Sequence, residues 1–364
     1  MAGISIPRLE SRALKYGYSN ARVSGMKGLL LKASEIDELL KVKSIEAVIE
    51  LLQRTHYKED LVSLSLLYRG STLIELAAGK HFARVAKKIV KITPKSDRKS
   101  VEAMLKRWDL LNLKTIVTAK RLGKKYEEIK AYLVPVGTLG ENDFERLAKA
   151  DERAIFDEIQ RTDFGKEMLS QSTAFLTAEM MKTFKDALRN MDSFMQLQTL
   201  LDAYMYVYID RNLANGSKDI ENIKKIFRRE IDAKNVSMIE RMKARGFEKD
   251  KIKKYVVKGG TLSDFDISTF IDAKDISSVI TIAKTKIPGI SSEEIKDIVG
   301  LEIALEKAIA HEKLHAFYLS TLSVGTLLGF LLLKEEELHN LRKIAKSKEY
   351  NLAPEKIREM LVTV

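Results

Sequence analysis

The chain has 364 residues, 45% of them hydrophobic, which is enough to bury a large core and too apolar for a disordered segment. It contains no cysteine, which excludes disulfides, thiolate metal sites and cysteine nucleophiles and fits a reducing compartment. The formal net charge is +12, but both signs alternate along nearly every segment and no basic block is interleaved with base-stacking aromatics, so the charge describes a solvated helical surface rather than a nucleic-acid footprint.

Only five prolines occur and period-two alternation is scarce, so the chain is predicted to be all-α. The first twenty residues hold no uninterrupted apolar core of signal-peptide length. Further on, Ala78-Gly79-Lys80-His81 lacks the first glycine and the hydroxyl of a phosphate-binding loop. Between Gly165 and Gly216 there is neither Gly nor Pro. Leu176, Met180, Phe184, Leu188, Met191 and Met195 fall there on one helix face. A single helix over that span would reach about 75 Å, so one long helix or two stacked ones are expected to stand out from the body.

Residues 310 to 316 read Ala-His-Glu-Lys-Leu-His-Ala and fit the zinc-protease pattern H-E-x-x-H. The acids Glu335, Glu336 and Glu337 follow about where one zinc peptidase family keeps its third ligand. However, Tyr318 stands where a metzincin needs glycine, and no convincing strand is offered to hold a substrate. His311 and His315 therefore read as polar positions on an amphipathic helix, and His56, His81 and His339 are scattered. G-x-S-x-G and C-x-x-C are absent as well, so no catalysis, metal or cofactor is expected. The apolar run Leu322 to Leu333 is too short for a membrane-spanning helix, which needs about twenty residues, and reads as a buried or partner-facing helix.

A long internal period organises these segments. With an offset of 123 and no gap, Asp109 falls on Asp232, Asn112 on Asn235, Ile116 on Ile239, Lys120 on Lys243, Gly123 on Gly246 and Gly137-Thr138-Leu139 on Gly260-Thr261-Leu262. With a further offset of 105, Glu337 matches Asp232, Asn340 matches Asn235 and Ile344 matches Ile239. A second element, [Arg/Lys]-Thr-x-[Tyr/Phe/Ile], alternates with the first at Thr55, Thr162 and Thr285. This phasing predicts three helical modules over 36–139, 140–262 and 263–364, preceded by a helix within 1–35 whose Asn20-Ala21-Arg22 echoes Asn340-Leu341-Arg342. In the repeated [Asp/Glu]-x-x-Asn-apolar-x-x-Ile, acid and Asn share one helix face. The acid is expected near a helix start, where it suits the dipole, and the Asn is expected to tie its helix to a neighbouring backbone. The device reads as packing or capping, and three like modules suggest a row or a closed ring.

Tyr16-Gly-Tyr-Ser-Asn-Ala-Arg-Val-Ser-Gly-Met-Lys-Gly-Leu-Leu-Leu resembles the opening of the C subunit of the archaeal A-type ATP synthase, the counterpart of the d subunit of the V-type ATPase. Glu337-Leu-His-Asn-Leu-Arg-Lys-Ile resembles that family's closing signature, and triplication is a family trait. The resemblance runs from about residue 10 to the end. It implies a funnel of three pseudo-symmetric helical modules, non-catalytic, peripheral on the cytoplasmic face of the membrane. Such a protein receives the D and F subunits of the central stalk and sits on the proteolipid rotor ring. It carries torque for ATP synthesis or hydrolysis coupled to H+ or Na+ transport. The family signature matches at Tyr18, Asn20, Arg22, Gly25, Lys27, Glu337, Asn340 and Arg342, which with Asp109, Asn112, Asp232 and Asn235 are expected to define the fold or line a rim. Charge and repeats leave a helical scaffold for nucleic acid or protein open as the alternative.

Overall fold

The structure, a computed structural model, describes residues 6–151, 154–171, 183, 186–188, 190–213, 217–290 and 295–362. Among the described residues every regular element is a helix and there is no strand. Helix α1 (Ile6–Lys27) leads. It is followed by α2 (Ala33–Lys41), α3 (Ile45–Leu52), α4 (Lys58–Leu64), the long α5 (Gly70–Ile92) and α6 (Arg98–Arg121), and α7 (Tyr126–Ile129). The order then recurs with α8 (Glu141–Lys149), α9 (Ile155–Arg161), α10 (Asp163–Gln171), the long α11 (Met191–Asn212) and α12 (Lys218–Ala244), and α13 (Lys249–Lys253). It recurs once more with α14 (Asp264–Asp272), α15 (Ile276–Lys286), the long α16 (Ile298–Leu319) and α17 (Val324–Glu349), and α18 (Pro354–Met360).

The long helices pack on one another, α17 on α5 and α16, α12 on α16, and α11 on α6. Helix α17 is enclosed along most of its length: Leu327, Leu328 and the run Phe330 to Leu333 are buried, and so are Lys334, Glu335, Glu336 and Glu337 one turn on. A helix apolar all round is one surrounded by protein. The stretch Ser323 to Leu333 is thus core, with Leu322 half-buried at its start, which removes the expectation that a partner could dock on it. Gly329 permits the close crossing with α16, since a Cβ there would lie 2.9 Å from the Phe317 Cα. A second core gathers Val236, Ile239, Phe270, Val279, Leu301 and Leu305.

The span between Gly165 and Gly216 is not one helix. Asn190 is extended and its side chain accepts from the Asp192 and Ser193 N–H groups, which starts α11 afresh. Leu176, Met180 and Phe184, half of the expected stripe, lie outside the described residues.

The repeated signature forms the same joint three times. Asn112 donates to the Val134 carbonyl at 2.8 Å and accepts from its N–H at 2.9 Å. Asn235 does the same with Val257 at 2.8 and 2.9 Å, and Asn340 with Val362 at 2.6 and 3.1 Å. The partner lies 22 residues on each time. A primary amide is the side chain that can pair both polar groups of one peptide position in this way. Its apolar companions Leu113, Val236, Leu341, Ile116, Ile239 and Ile344 are all buried.

The acid and a lysine grip the following short helix from both ends. Asp109 accepts from the Thr138 and Leu139 N–H groups and the Thr138 hydroxyl, just ahead of α8. Lys120, eleven residues on, donates to the Ala148 and Ala150 carbonyls at the far end of α8. Asp232 takes the Thr261 and Leu262 N–H groups ahead of α14, and Lys243 the Phe270 carbonyl near its end. In the third set Glu337 accepts from the Leu31 N–H at 2.7 Å, and Lys348 donates to the Leu40 and Val42 carbonyls. The last long helix therefore holds α2, at the other end of the chain. The acid lies in the middle of its own helix, contrary to the expected position, and serves the N-terminus of a different one. Charges of the right sign at both ends complement the held helix's dipole and its orphan backbone groups.

The three gripping helices, α6, α12 and α17, end alike. Gly123, Gly246 and Asn351 have φ of +67°, +74° and +54°, and the next residue's N–H returns to a carbonyl five residues back. Asparagine is the side chain that best tolerates this left-handed position after glycine. The second repeated element holds in only two copies. Thr55 and Thr162 each donate to a carbonyl three residues back and accept from an N–H ahead, whereas Thr285 bonds within α15 and is exposed. Asn20 makes no such clamp either; it bonds the Tyr16 carbonyl and the Leu322 N–H.

Replacing Asn112, Asn235 or Asn340 with Ala strands a buried N–H and a buried C=O. Each substitution is expected to cost about 3 kcal/mol. An exposed control, Asn142→Ala, should stay within about 0.5 kcal/mol. Equilibrium denaturation of the four variants checks this.

Candidate functional site

Two residues before each signature acid stand Arg107, Glu230 and Glu335. Equivalent positions on α6, α12 and α17, they meet in the protein interior: the Arg107 guanidinium is paired with Glu335 and lies 3.7 Å from Glu230. Lys313 from α16 joins them, 3.2 Å from Glu230 and 2.7 Å from Glu336. Although burial raises both acids, the facing cations hold Glu230 and Glu336 below the usual carboxylate range.

Beside this cluster opens a cleft of about 860 Å³, walled by α11, α12, α16 and α17 with Lys114 of α6. One wall is apolar and rich in methionine, with Met191, Met195, Met238 and Met242. Another is charged. Asp202 bridges Lys114 at 2.7 Å and Lys234 at 2.9 Å, and these two lysines hold it below its ordinary value against the effect of burial. His339 lies on the cleft with its side chain 39% exposed. Although solvent reaches this edge of the imidazole ring, the enclosing helices push it down to about 4, with Lys313, Arg342 and Lys343 acting in the same direction and Glu336 against them. Arg342 donates through one terminal nitrogen to the Ala131 and Tyr132 carbonyls, and Nε is buried with no acceptor.

The twelve residues singled out in the sequence divide by place. Asp109, Asn112, Asp232, Asn235, Glu337 and Asn340 are buried in the joints. Burial lifts Asp109 and Asp232 above the ordinary aspartate value, against the pull of the hydrogen bonds they accept. Glu337 also receives the Tyr57 hydroxyl and Lys334. Asn235 and Arg342 reach the cleft. Tyr18, Arg22 and Gly25 form one exposed face of α1, with Tyr18 68% exposed. Lys27 ties the end of α1 to α16, donating to the Tyr318 hydroxyl at 2.6 Å.

His311 and His315 are exposed on α16, and Glu312 between them is paired with Arg229. Among the described residues no three His, Asp or Glu side chains converge as metal ligands. Glu335, Glu336 and Glu337 face Arg107, Lys313 and Lys334 instead. Sequence reasoning missed Arg107, Glu230, Glu335 and Lys348. The offsets of 123 and 105 that align the acids align these positions too.

Comparison with known proteins gives a consistent result. A profile described as ATP synthase (C/AC39) subunit matches residues 19–360. Proteins named as the C subunit of A-type ATP synthase are similar over nearly the whole chain. That of Methanocaldococcus jannaschii is 26% identical over 96% of this chain and 86% of its own. Those of Methanococcoides burtonii and Pyrococcus abyssi are 27% and 28% identical, each over 95% of this chain and 94% and 90% of theirs.

The charged centre makes two expectations measurable. Arg107→Ala leaves buried Glu335 uncompensated, while Glu230 keeps Lys313, and should cost about 3–5 kcal/mol; the apolar pair Arg107→Met with Glu335→Met recovers most of it. A denaturation cycle over the single and double variants checks both. His339 has a folded value below its unfolded one, so its contribution is present above about pH 6.5 and lost as pH falls through about 4. His339→Gln should therefore lose less thermal stability than the native chain between pH 6.5 and 4.

Proposed function

The chain belongs to the ATP synthase (C/AC39) subunit family, and from that premise we propose that it is a non-catalytic rotor subunit, a socket that joins the central stalk to the membrane rotor ring. Relatives over nearly the full length are named as the C subunit of A-type ATP synthase. The observation that carries the reading is the thrice-made joint, whose last copy fastens α2 to α17 through Glu337 and Lys348. Units joined head to tail in this way close on themselves and leave no free end to unwind under torque. The units proposed are 36–139, 140–262 and 263–364, completed by 1–35, and the grips at Leu139, Leu262 and Leu31 fall close to those boundaries.

In this reading the D and F subunits of the central stalk enter the cleft, and the proteolipid ring lies beneath. The socket transmits rotation for ATP synthesis or hydrolysis coupled to H+ or Na+ movement. It sits peripherally on the cytoplasmic face of the membrane. No helix among the described residues is long and apolar enough to cross a membrane, which agrees with attachment through partners.

Tagged protein mixed at physiological salt with solubilised rotor ring and with the D–F pair, separately and together, tests this. The expected result is one complex holding ring, stalk and a single copy of this chain. A folded monomer that retains neither overturns the reading, and strongly salt-dependent binding of DNA or RNA by that monomer would put a nucleic-acid scaffold in its place.

A further inference from the structure

Acidic residues recur along most of the chain, and the three longest stretches without Asp or Glu are 11–34, 76–96 and 313–334. The fold gathers parts of all three at one end. Helix α1 lies against the close of α5, where the Ser19 hydroxyl donates to the Ile92 carbonyl and the Tyr16 hydroxyl to Asp97. It also meets the α16–α17 turn, where Asn20 accepts from the Leu322 N–H and Lys27 donates to Tyr318. Arg12, Lys15 and Arg22 are exposed on α1, and Lys87, Lys88, Lys91 and Lys95 on α5 and just past it. Of these cations only Lys15 makes an ion pair among the described residues, with Asp97 at 2.8 Å. The α5 dipole accounts for Lys91, in the last turn, but not for the others. Leu14 stands beside them 89% exposed, and Tyr18, Tyr318 and Leu319 are exposed further along. Glu102 on α6 and Glu221 on α12 are exposed acids near the same end, outside the three stretches. This end lies away from the cleft. The cleft runs along α12 from Glu230 to Arg245, which match Arg107 to Leu122 by the repeat, whereas the α5–α6 turn precedes Arg98.

We propose that this face binds the anionic headgroups of a phospholipid bilayer directly, with Leu14 entering the acyl boundary. The socket reading attaches the chain to the membrane through its partners, and this contact is additional to it. Unpaired cations held close together repel one another, and an opposing sheet of phosphates turns that repulsion into attraction. Lys87 and Lys91 are one helical turn apart, about 6 Å. That is inside the screening length of about 8 Å, so neighbouring lysines act together on a charged surface. An ammonium on a flexible stem meets scattered phosphates without demanding one geometry, which suits a fluid bilayer better than a folded acidic partner. An exposed leucine among cations on a helix is the pattern of an interfacial helix, the apolar side chain below the phosphates and the charges level with them. Residues 11–15 are exposed on every side of α1, so the described fold covers none of this length of helix. Opposite the cleft, the face is turned to the membrane when the stalk enters from the other side.

The test is flotation of full-length protein with vesicles of phosphatidylcholine, alone or mixed with phosphatidylglycerol, in the absence of rotor ring and stalk. Native protein is expected to float with the phosphatidylglycerol vesicles at about 0.1 M salt, to be released by about 0.5 M, and to ignore phosphatidylcholine. Each cation near an anionic surface is worth about fivefold in affinity. Lys87→Glu, Lys91→Glu and Lys95→Glu combined should therefore weaken binding about a hundredfold or more, and Leu14→Ser several-fold at unchanged charge. The same charge change on α13, at the cleft end, by Lys249→Glu, Lys251→Glu and Lys253→Glu, should stay within about threefold. All the substituted positions are exposed, and circular dichroism checks that each variant folds. The proposal is overturned if native protein does not float with the anionic vesicles. It is also overturned if both triple variants weaken binding equally, which traces the attraction to overall charge. Capture of duplex DNA in preference to the vesicles overturns it too, by putting a nucleic acid on this face. The socket reading is decided separately, by co-purification with ring and stalk, and there the α5 triple variant should still retain the stalk.

Discussion

Much of this fold hangs on how α6, α12 and α17 each hold a short helix. A short helix presents unpaired N–H groups at one end and carbonyls at the other, and where both ends are covered by protein something other than water must satisfy them. Here one long helix supplies a carboxylate, an amide and an ammonium along a single face. From Asp109 to Lys120 is eleven residues, about 16 Å of helix, which spans a nine-residue partner lying alongside. The grip fixes separation, direction and register together. It does so at some expense in charge burial: Asp109 is fully buried, and its raised value shows that desolvation outweighs three accepted hydrogen bonds. Its gain is a defined geometry more than net stability. Gly137 shows how tight the fit is, since a Cβ there would stand 2.2 Å from the Asp109 carboxylate.

The third grip differs in a way that its position explains. Asp109 and Asp232 are met by a Gly-Thr-Leu turn, whose threonine hydroxyl and N–H share the carboxylate. Glu337 is met by Leu31, which follows Leu30 and brings no hydroxyl. Glutamate reaches one methylene further, and the second acceptor oxygen is filled by Tyr57 and Lys334. Burial pushes the Tyr57 hydroxyl up, so the phenol stays neutral and donates, and pushes the Lys334 ammonium down, a cost that the carboxylate offsets. The seam between the two ends of the chain is thus built from side chains where the other two joints use a turn.

Much of this was legible. A signature recurring at fixed offsets placed the acid, the Asn and the buried stripe on one helix face, because helical period and repeat period are both written in residue order. The partner of each acid was not, since hydrogen bonds to a turn 30 residues away or to a helix 306 residues away leave no local pattern. The apolar run in α17 was ambiguous for a general reason: hydrophobicity reports that a face is dry, not whether its own chain or another covers it. The histidine pair shows the converse. Its spacing is a true property of the helix, but metal chemistry needs further ligands to converge, and Glu312 is turned to Arg229. On α1 the signature residues split between an exposed face at Tyr18, Arg22 and Gly25 and contacts at Asn20 and Lys27, a division set by tertiary packing alone.

The repeat breaks where symmetry forbids it to hold. At a joint, three copies can carry the same residue, since each asparagine meets its own backbone and none meets another. Around Arg107 the three copies meet one another. Identical charges there would repel in a region of weak screening, and identical large apolar side chains would compete for one space. The chain places Arg107, Glu230 and Glu335 at the equivalent positions and adds Lys313 to neutralise the surplus acid. A shift of α6 by one turn would bring Met104 or Leu111 to Glu335 and leave the buried acid without its cation, so the cluster favours one register of α6 against α12 and α17. Sameness at the joints repeats one packing three times, and difference around Arg107 sets how α6, α12 and α17 stand against one another.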